Sequence, residues 1–233
     1  MSTPPTAILW DIDGTLLRAS GAGVRAFVEA LTAVTGLEFP TGDLDMGGRT
    51  DPEIARRILH FAAAEGDHDE LADQLLTHVA AIYAANEAEF AERTKALPGV
   101  PEVLAAVEAL GMLQTVVTGN VEPIARMKVR AAGVAGRLVL DVGGYGSDHH
   151  VRSELVHTAV RRIAASTGAV DPRRTWVIGD TPRDLECARA AGVRCVLVAT
   201  GTNPFEKLSA LDADAVFANL TELDRFLELV AGP

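Results

Sequence analysis

A series of short apolar runs, separated by stretches of helical length, constrains this chain more than any other feature. The runs are Ala7-Ile8-Leu9-Trp10, Leu113 to Val117, Leu138 to Val142, Thr175 to Ile178 and Cys195 to Val198, with a weaker one at Ala215 to Phe217. Continuous apolar runs this short read as strands buried on both faces. Helical patterns lie between them. Val103, Leu104, Val107 and Leu110 share one face; Ile124, Met127 and Lys128 open a segment that ends at Gly133. Leu155, Val156, Ala159, Val160 and Ile163 form a stripe ending near Gly168, and Thr181 to Ala191 is a further helix stopped by Gly192. Alternation of this kind predicts an α/β fold, a Rossmann-like three-layer core around a mainly parallel sheet.

The rhythm breaks between Ala19 and Arg93. Apolar residues there recur at helical spacing: Val24, Phe27, Leu31 and Val34, then Ile54, Ile58 and Leu59, then Leu71, Leu75, Val79 and Ile82. The alternating pattern resumes at Leu97-Pro98-Gly99. The expectation is a catalytic core of residues 1–18 and 94–233 with an inserted all-helical cap over 19–93, in preference to one undivided domain.

Composition narrows the partners. The 233 residues carry 21 Lys+Arg against 32 Asp+Glu, a net charge of -11. That balance argues against nucleic-acid or anionic-membrane surfaces, yet leaves room for a small anionic substrate beside a bound cation. The two cysteines, Cys187 and Cys195, have neither metal nor disulfide spacing. No apolar run is long enough to span a bilayer, and Met1 to Thr6 lacks a basic segment leading into an apolar one, so a cytoplasmic protein is expected. Monomer and dimer both stay open.

Candidate chemistry sits where strands end. Asp11-Ile12-Asp13-Gly14-Thr15 follows the first run, and carboxylates two apart project to one side of an extended chain. Open parallel sheets bind ligands at this end, and Gly14 allows the sharp turn. Thr118-Gly119-Asn120 ends a second strand; Thr118 suits either a phosphoryl oxygen or a helix cap. Gly179-Asp180-Thr181-Pro182-Arg183-Asp184 ends a third. Asp180 and Asp184 suit a hard cation such as magnesium, and equally suit the first turn of a helix. Arg152 stands before a helix expected to start at Ser153. Arg49, in Gly47-Gly48-Arg49-Thr50-Asp51, reads as a contact to a second anionic group of a substrate, or as a solvated side chain beside a helix capped by Asp51. Asp148-His149-His150 reads as solvated surface.

Taken together and in this order, Asp11-x-Asp13-Gly14-Thr15 and Gly179-Asp180-x-x-x-Asp184 resemble the nucleophile and metal motifs of the haloacid dehalogenase superfamily of hydrolases. The helical insert is similar to the cap of its phosphoglycolate-phosphatase-like branch. The second Asp of the first motif, Asp13, argues against carbon–halogen chemistry. The resemblance implies a magnesium-dependent phosphatase acting on a small phosphorylated metabolite. Asp11 would be the nucleophile and Asp13 the acid and base, with Thr118 and Arg152 on the phosphoryl oxygens. Gly14, Thr15, Gly119, Asn120 and Arg49 would meet the substrate. Magnesium would be held by Asp11, the Asp13 carbonyl and Asp180, with Asp184 orienting its shell. One departure is that the family usually presents Lys where Arg152 stands. Lys128 is the other cation in reach of the argument, and it lies too early in the chain to match. A phosphoglucomutase and a non-catalytic binding protein are the alternatives.

Overall fold

The structure is a computed structural model that describes residues 6–19, 21–39 and 46–232. The chain opens with β1 (Ala7–Trp10) and β2 (Leu17–Arg18). Four helices follow: α1 (Ala22–Thr35), α2 (Asp51–Phe61), α3 (His68–Ala85) and α4 (Glu87–Arg93). Next come β3 (Lys95–Ala96), α5 (Val100–Ala109), β4 (Leu113–Thr118), α6 (Glu122–Ala131), β5 (Gly144–Tyr145) and α7 (Arg152–Thr167). The remainder is β6 (Thr175–Gly179), α8 (Pro182–Ala190), β7 (Arg194–Val198), α9 (Phe205–Ser209), β8 (Ala215–Phe217) and α10 (Leu223–Ala231).

Six strands form one sheet in the order β5-β4-β1-β6-β7-β8, every neighbouring pair parallel. Side chains alternate across it, as extended chain requires. Ile8, Trp10, Val116, Ile178 and Val196 face a core shared with α5, α6 and α10. Ala7, Leu9, Val117, Val177, Cys195 and Leu197 face the other, against α7, α8 and α9. The result is the three-layer α/β architecture that the alternating runs predict. Trp10 stacks on Phe226 of α10 with ring centroids 5.7 Å apart, so this last helix closes one face of the sheet.

One expected strand is displaced. Leu138 to Val142 does not pair in the sheet; Leu140–Val142 is a single 3-10 turn and the edge strand is Gly144–Tyr145. Val139 bonds across to the β4 side, its amide donating to the Gln114 carbonyl (2.8 Å) and its carbonyl accepting from Thr115 Oγ1 (2.7 Å), but the chain then turns at Leu140–Val142 and does not continue along the strand. Gly144 suits the edge, since a Cβ there would collide with the Leu155 carbonyl of α7.

Helices α1 to α4 share an apolar core of their own, including Phe27, Leu31, Ile58, Leu75, Val79 and Phe90. That core runs on into Val121, Ile124 and Met127 at the start of α6. The chain segments on either side of the four helices pair with each other: β2 and β3 are antiparallel, Leu17 opposite Ala96 and Arg18 opposite Lys95. No helix among the described residues is long and apolar enough to cross a membrane.

Candidate active site

Three adjacent strands of the sheet, β4, β1 and β6, end at one cavity of about 460 Å³. The chain leaves β1 to one side of the sheet and later crosses to the other, and the crevice at such a reversal is where parallel sheets bind ligands. Asp11 extends β1 by one bond, its amide donating to the Ile178 carbonyl at 2.8 Å, so the carboxylate is held at the strand end. Gly14 turns the chain with φ 86°, a left-handed conformation that suits glycine. A Cβ on Gly14 would lie 2.6 Å from Asp180 Oδ2, so this turn also makes room for the carboxylate of β6.

Asp11, Asp180 and Asp184 are all buried, and each offers a carboxylate oxygen within 4.8 Å of the others. Burial raises Asp11 to about 7; Arg152 opposes the rise, and Asp184 and Asp13 add to it. Burial likewise raises Asp180 to about 8, with Asp11 and Asp184 adding to it. Three buried carboxylates against one guanidinium lack a positive charge, and all the donors are hard oxygens. The donor set therefore fits magnesium, with Asp11 and Asp180 as the carboxylates that would hold it. The hydroxyl of Thr15, expected on the substrate side, donates to Asp180 Oδ1 (3.3 Å) and orients that carboxylate.

Asp184 is fixed from both sides. Its Oδ2 accepts from the Thr181 amide (3.0 Å) and hydroxyl (2.7 Å), closing the first turn of α8, while Oδ1 accepts from Arg152 Nη2 at 2.7 Å. The same Nη2 lies 3.0 Å from Asp11 Oδ1. Arg152 is thus the cation beside the candidate nucleophile. It is the first residue of α7, one position ahead of the start expected at Ser153. Burial works against its charge, and Asp184 and Asp11 outweigh that and hold its pKa well above the usual value.

Asp13 faces the cavity with its side chain 44% exposed. Its Oδ2 accepts two hydrogen bonds, from Asn120 Nδ2 (2.7 Å) and from Lys128 Nζ (2.6 Å). Chain order places Lys128 too early to match the motif cation, yet α6 carries it back to the cavity. The available signal was a cation on the apolar face that Ile124 and Met127 define. Asn120 Nδ2 also donates to Thr118 Oγ1 at 2.8 Å, and Thr118 and Gly119 line the cavity.

The loop before α2 closes over these groups. Thr50, not Asp51, caps α2, accepting from the Glu53 amide at 3.3 Å. Asp51 instead reaches the sheet side: its Oδ2 accepts from the Val121 amide (2.8 Å) at the start of α6, and its own amide donates to the Gly119 carbonyl (2.7 Å). Burial raises Asp51 to about 6, with Lys128 and the Val121 bond opposing. Thr50 Oγ1 donates to the His150 carbonyl at 2.9 Å. Arg49 is not a solvated charge; its side chain is buried to 12% exposure, lines the cavity and pairs with Glu53. Asp148 is not a solvated side chain, since both its oxygens accept from Arg162 at 2.7 Å, while the rings of His149 and His150 stack on each other.

The family model of the haloacid dehalogenase-like hydrolases matches residues 8–189. The chain belongs to that family. Among similar curated proteins is the N-acetylmuramic acid 6-phosphate phosphatase of Pseudomonas aeruginosa, 29% identical over an alignment covering 93% of this chain and 92% of that protein. A plasmid-encoded phosphoglycolate phosphatase of Cupriavidus necator is 28% identical, covering 97% of this hydrolase and 95% of the relative. Of solved structures, that of CbbY from Rhodobacter sphaeroides in complex with phosphate superposes with a TM-score of 0.74 at 21% identity, over 94% of this chain and 96% of that one, and so shares the fold.

Proposed function

We propose that this hydrolase is a magnesium-dependent phosphatase that cleaves a small phosphate monoester through a phospho-aspartate on Asp11. The observation that carries the reading is the pairing at the end of β1: Asp11 with a guanidinium at 3.0 Å, and Asp13 turned into the same cavity. When bound between Asp11 and Asp180, magnesium would neutralise the carboxylates and draw charge from a phosphoryl oxygen.

The chain's own groups supply the rest. An Asp11 oxygen bonds to phosphorus while the ester P–O bond breaks. Asp13 gives its proton to the departing alkoxide, then takes one from the water whose oxygen attacks the phospho-aspartate, releasing inorganic phosphate and restoring the Asp11 carboxylate. Arg152 compensates the charge on the transferred group. Thr118 Oγ1 accepts from Asn120, so its own hydrogen is left to donate to a phosphoryl oxygen. The loop of Gly47 to Asp51 and helices α1 to α3 act as a cap, excluding bulk water while the ester is seated.

The relatives' own names give phosphoglycolate and N-acetylmuramic acid 6-phosphate as substrates. Leu17, Val24, Phe27, Met46, Ile54 and Ile124 line the cavity. Apolar walls of that extent favour a leaving group with a carbon body of sugar size or larger. The test is a panel of phosphate esters assayed with magnesium and with chelator, together with Asp11→Asn. Activity is expected only with the metal, and none in Asp11→Asn at an unchanged circular dichroism spectrum. Wild-type rates in Asp11→Asn, with deamidation excluded by mass spectrometry, would remove the phospho-aspartate step.

A further inference from the structure

A buried lysine that touches a carboxylate in a cavity is normally assigned to the ligand. Here its partners are already in place. Lys128 Nζ lies 2.6 Å from Asp13 Oδ2 and 2.7 Å from Asn120 Oδ1. Both residues line the cavity, and the Lys128 side chain is 7% exposed against 44% for Asp13, so the ammonium is the more enclosed of the pair. The contact to Asn120 has a second consequence. With the amide oxygen turned to the ammonium, the NH2 group must face the other way, and it donates to both Asp13 Oδ2 and Thr118 Oγ1. One cation thereby orders three groups around the reacting ester.

Both bonds that the Asp13 carboxylate accepts from described residues fall on Oδ2. That oxygen is held, and Oδ1 is the one left to exchange a proton with the ester oxygen and with water. The clamp also depends on the helical layer. Asp13 and, from α2, Asp51 are the carboxylates that support the Lys128 charge against the cost of its burial.

We infer that Lys128 is a positioning residue: with Asn120 it clamps Asp13 by Oδ2 and aims Oδ1 at the leaving oxygen. The inference rests on the phosphatase reading above. It differs from the role of Arg152, which sits on Asp11 and acts on the transferred group.

The two roles separate by leaving group. An alkoxide needs a proton to depart; para-nitrophenolate does not. The kcat/KM of either ester stops at formation of the phospho-aspartate, so the later use of Asp13 as a base does not enter. Lys128→Met should lower kcat/KM for an alkyl phosphate by at least about a hundredfold, the scale of a lost general acid. For para-nitrophenyl phosphate the loss should be at least about tenfold smaller, because that step draws less on the general acid. Lys128→Arg should recover part of the alkyl loss. Equal losses on both esters, or no loss on either, would overturn the inference. A crystal structure of Lys128→Met reads the clamp without any assay: the Asp13 carboxylate and the Asn120 amide should leave their positions, and finding both unmoved would overturn it too. Should Lys128→Met not fold, Lys128→Gln takes its place with the same two measurements. If the wild-type protein hydrolyses neither ester, the phosphatase reading fails, and the crystallographic comparison still decides whether Lys128 places Asp13.

Discussion

Asp11 and Asp13 leave the same strand end, yet Arg152 touches one and Lys128 the other. Each carboxylate is therefore given a different neighbour by a different helix, α7 or α6. The distinction makes a prediction for Arg152. Removing it leaves Asp11 and Asp184 buried without their shared cation, and removes the charge proposed to face the phosphoryl oxygens. Arg152→Ala should lower kcat/KM by at least about a hundredfold, the scale of a lost transition-state charge partner, and by similar factors for alkyl and aryl esters. Steady-state kinetics on both esters checks this; a loss confined to alkyl esters would move Arg152 to the proton-transfer step. Asp11, Asp13, Asp180 and Asp184 were legible as motif residues because each lies within a few positions of a strand end. Asn120 was legible only as a neighbour of Thr118. That its amide joins Asp13, Thr118 and Lys128 follows from contacts between residues as far as 115 positions apart.

At the scale of elements, the cavity is made where the loop before α2 meets the loop after β4. Gly119 is the point of closest approach: a Cβ there would strike the Arg49 carbonyl and stand 2.9 Å from the Thr50 Cα. Both contacts are to backbone, so a side chain at Gly119 cannot be absorbed by a rotamer change. Gly119→Ala should push the loop of Gly47 to Asp51 outward and break the Asp51 amide bond to the Gly119 carbonyl. Activity should fall by at least about tenfold, because misplacing groups by about an ångström is enough for such losses. The atoms struck belong to the loop before α2 and not to the apolar faces of the sheet, so circular dichroism should stay native-like. Unaltered kinetics would show that the loop does not need this contact. The helical register of α2 was readable from Ile54, Ile58 and Leu59, but its cap was not. Thr50 and Asp51 are both good capping residues, and the choice between them was made by Val121, whose amide recruits the Asp51 carboxylate.

For the molecule as a whole, the buried carboxylates tie stability to pH and, on the proposed function, to metal. Asp11 and Asp180 are raised from 3.8 to about 7 and about 8. A carboxyl whose pKa is raised on folding binds its proton more tightly in the folded state. Its contribution is full below the unfolded value and is lost as pH rises through the folded one. Metal-free protein should therefore melt at a higher temperature near about pH 6 than near about pH 8.5. If magnesium binds the ionised carboxylates as proposed, it should raise Tm most at the alkaline end and flatten the profile. Asp11→Asn should also flatten the profile in chelator, by removing one of the two groups. Thermal melts over that pH range, with and without magnesium, decide it; parallel profiles in all three samples would mean that these carboxylates do not carry the dependence. The net charge of -11 acts in the same direction over the whole surface, which is why the single-residue variant is needed.

The sequence by itself determined the alternation of strands and helices, the helical spacing of apolar residues between Ala19 and Arg93, and the carboxylates that end β1 and β6. These are local properties: burial on both faces makes a strand continuously apolar, and a turn at a strand end leaves its polar residues next to the turn glycine. The edge strand escaped that logic. Gly144–Tyr145 has almost no apolar signal, and it pairs because Gly144 admits the Leu155 carbonyl closely while the more apolar Leu140–Val142 turns away. Only the tertiary structure decided which cations reach which carboxylates. Arg152 and Lys128 are both basic residues on helices that follow strands, and nothing in their spacing says that one faces Asp11 and the other Asp13. That assignment comes from how α6 and α7 pack against opposite faces of the sheet, which sets the direction from which each charge enters the cavity.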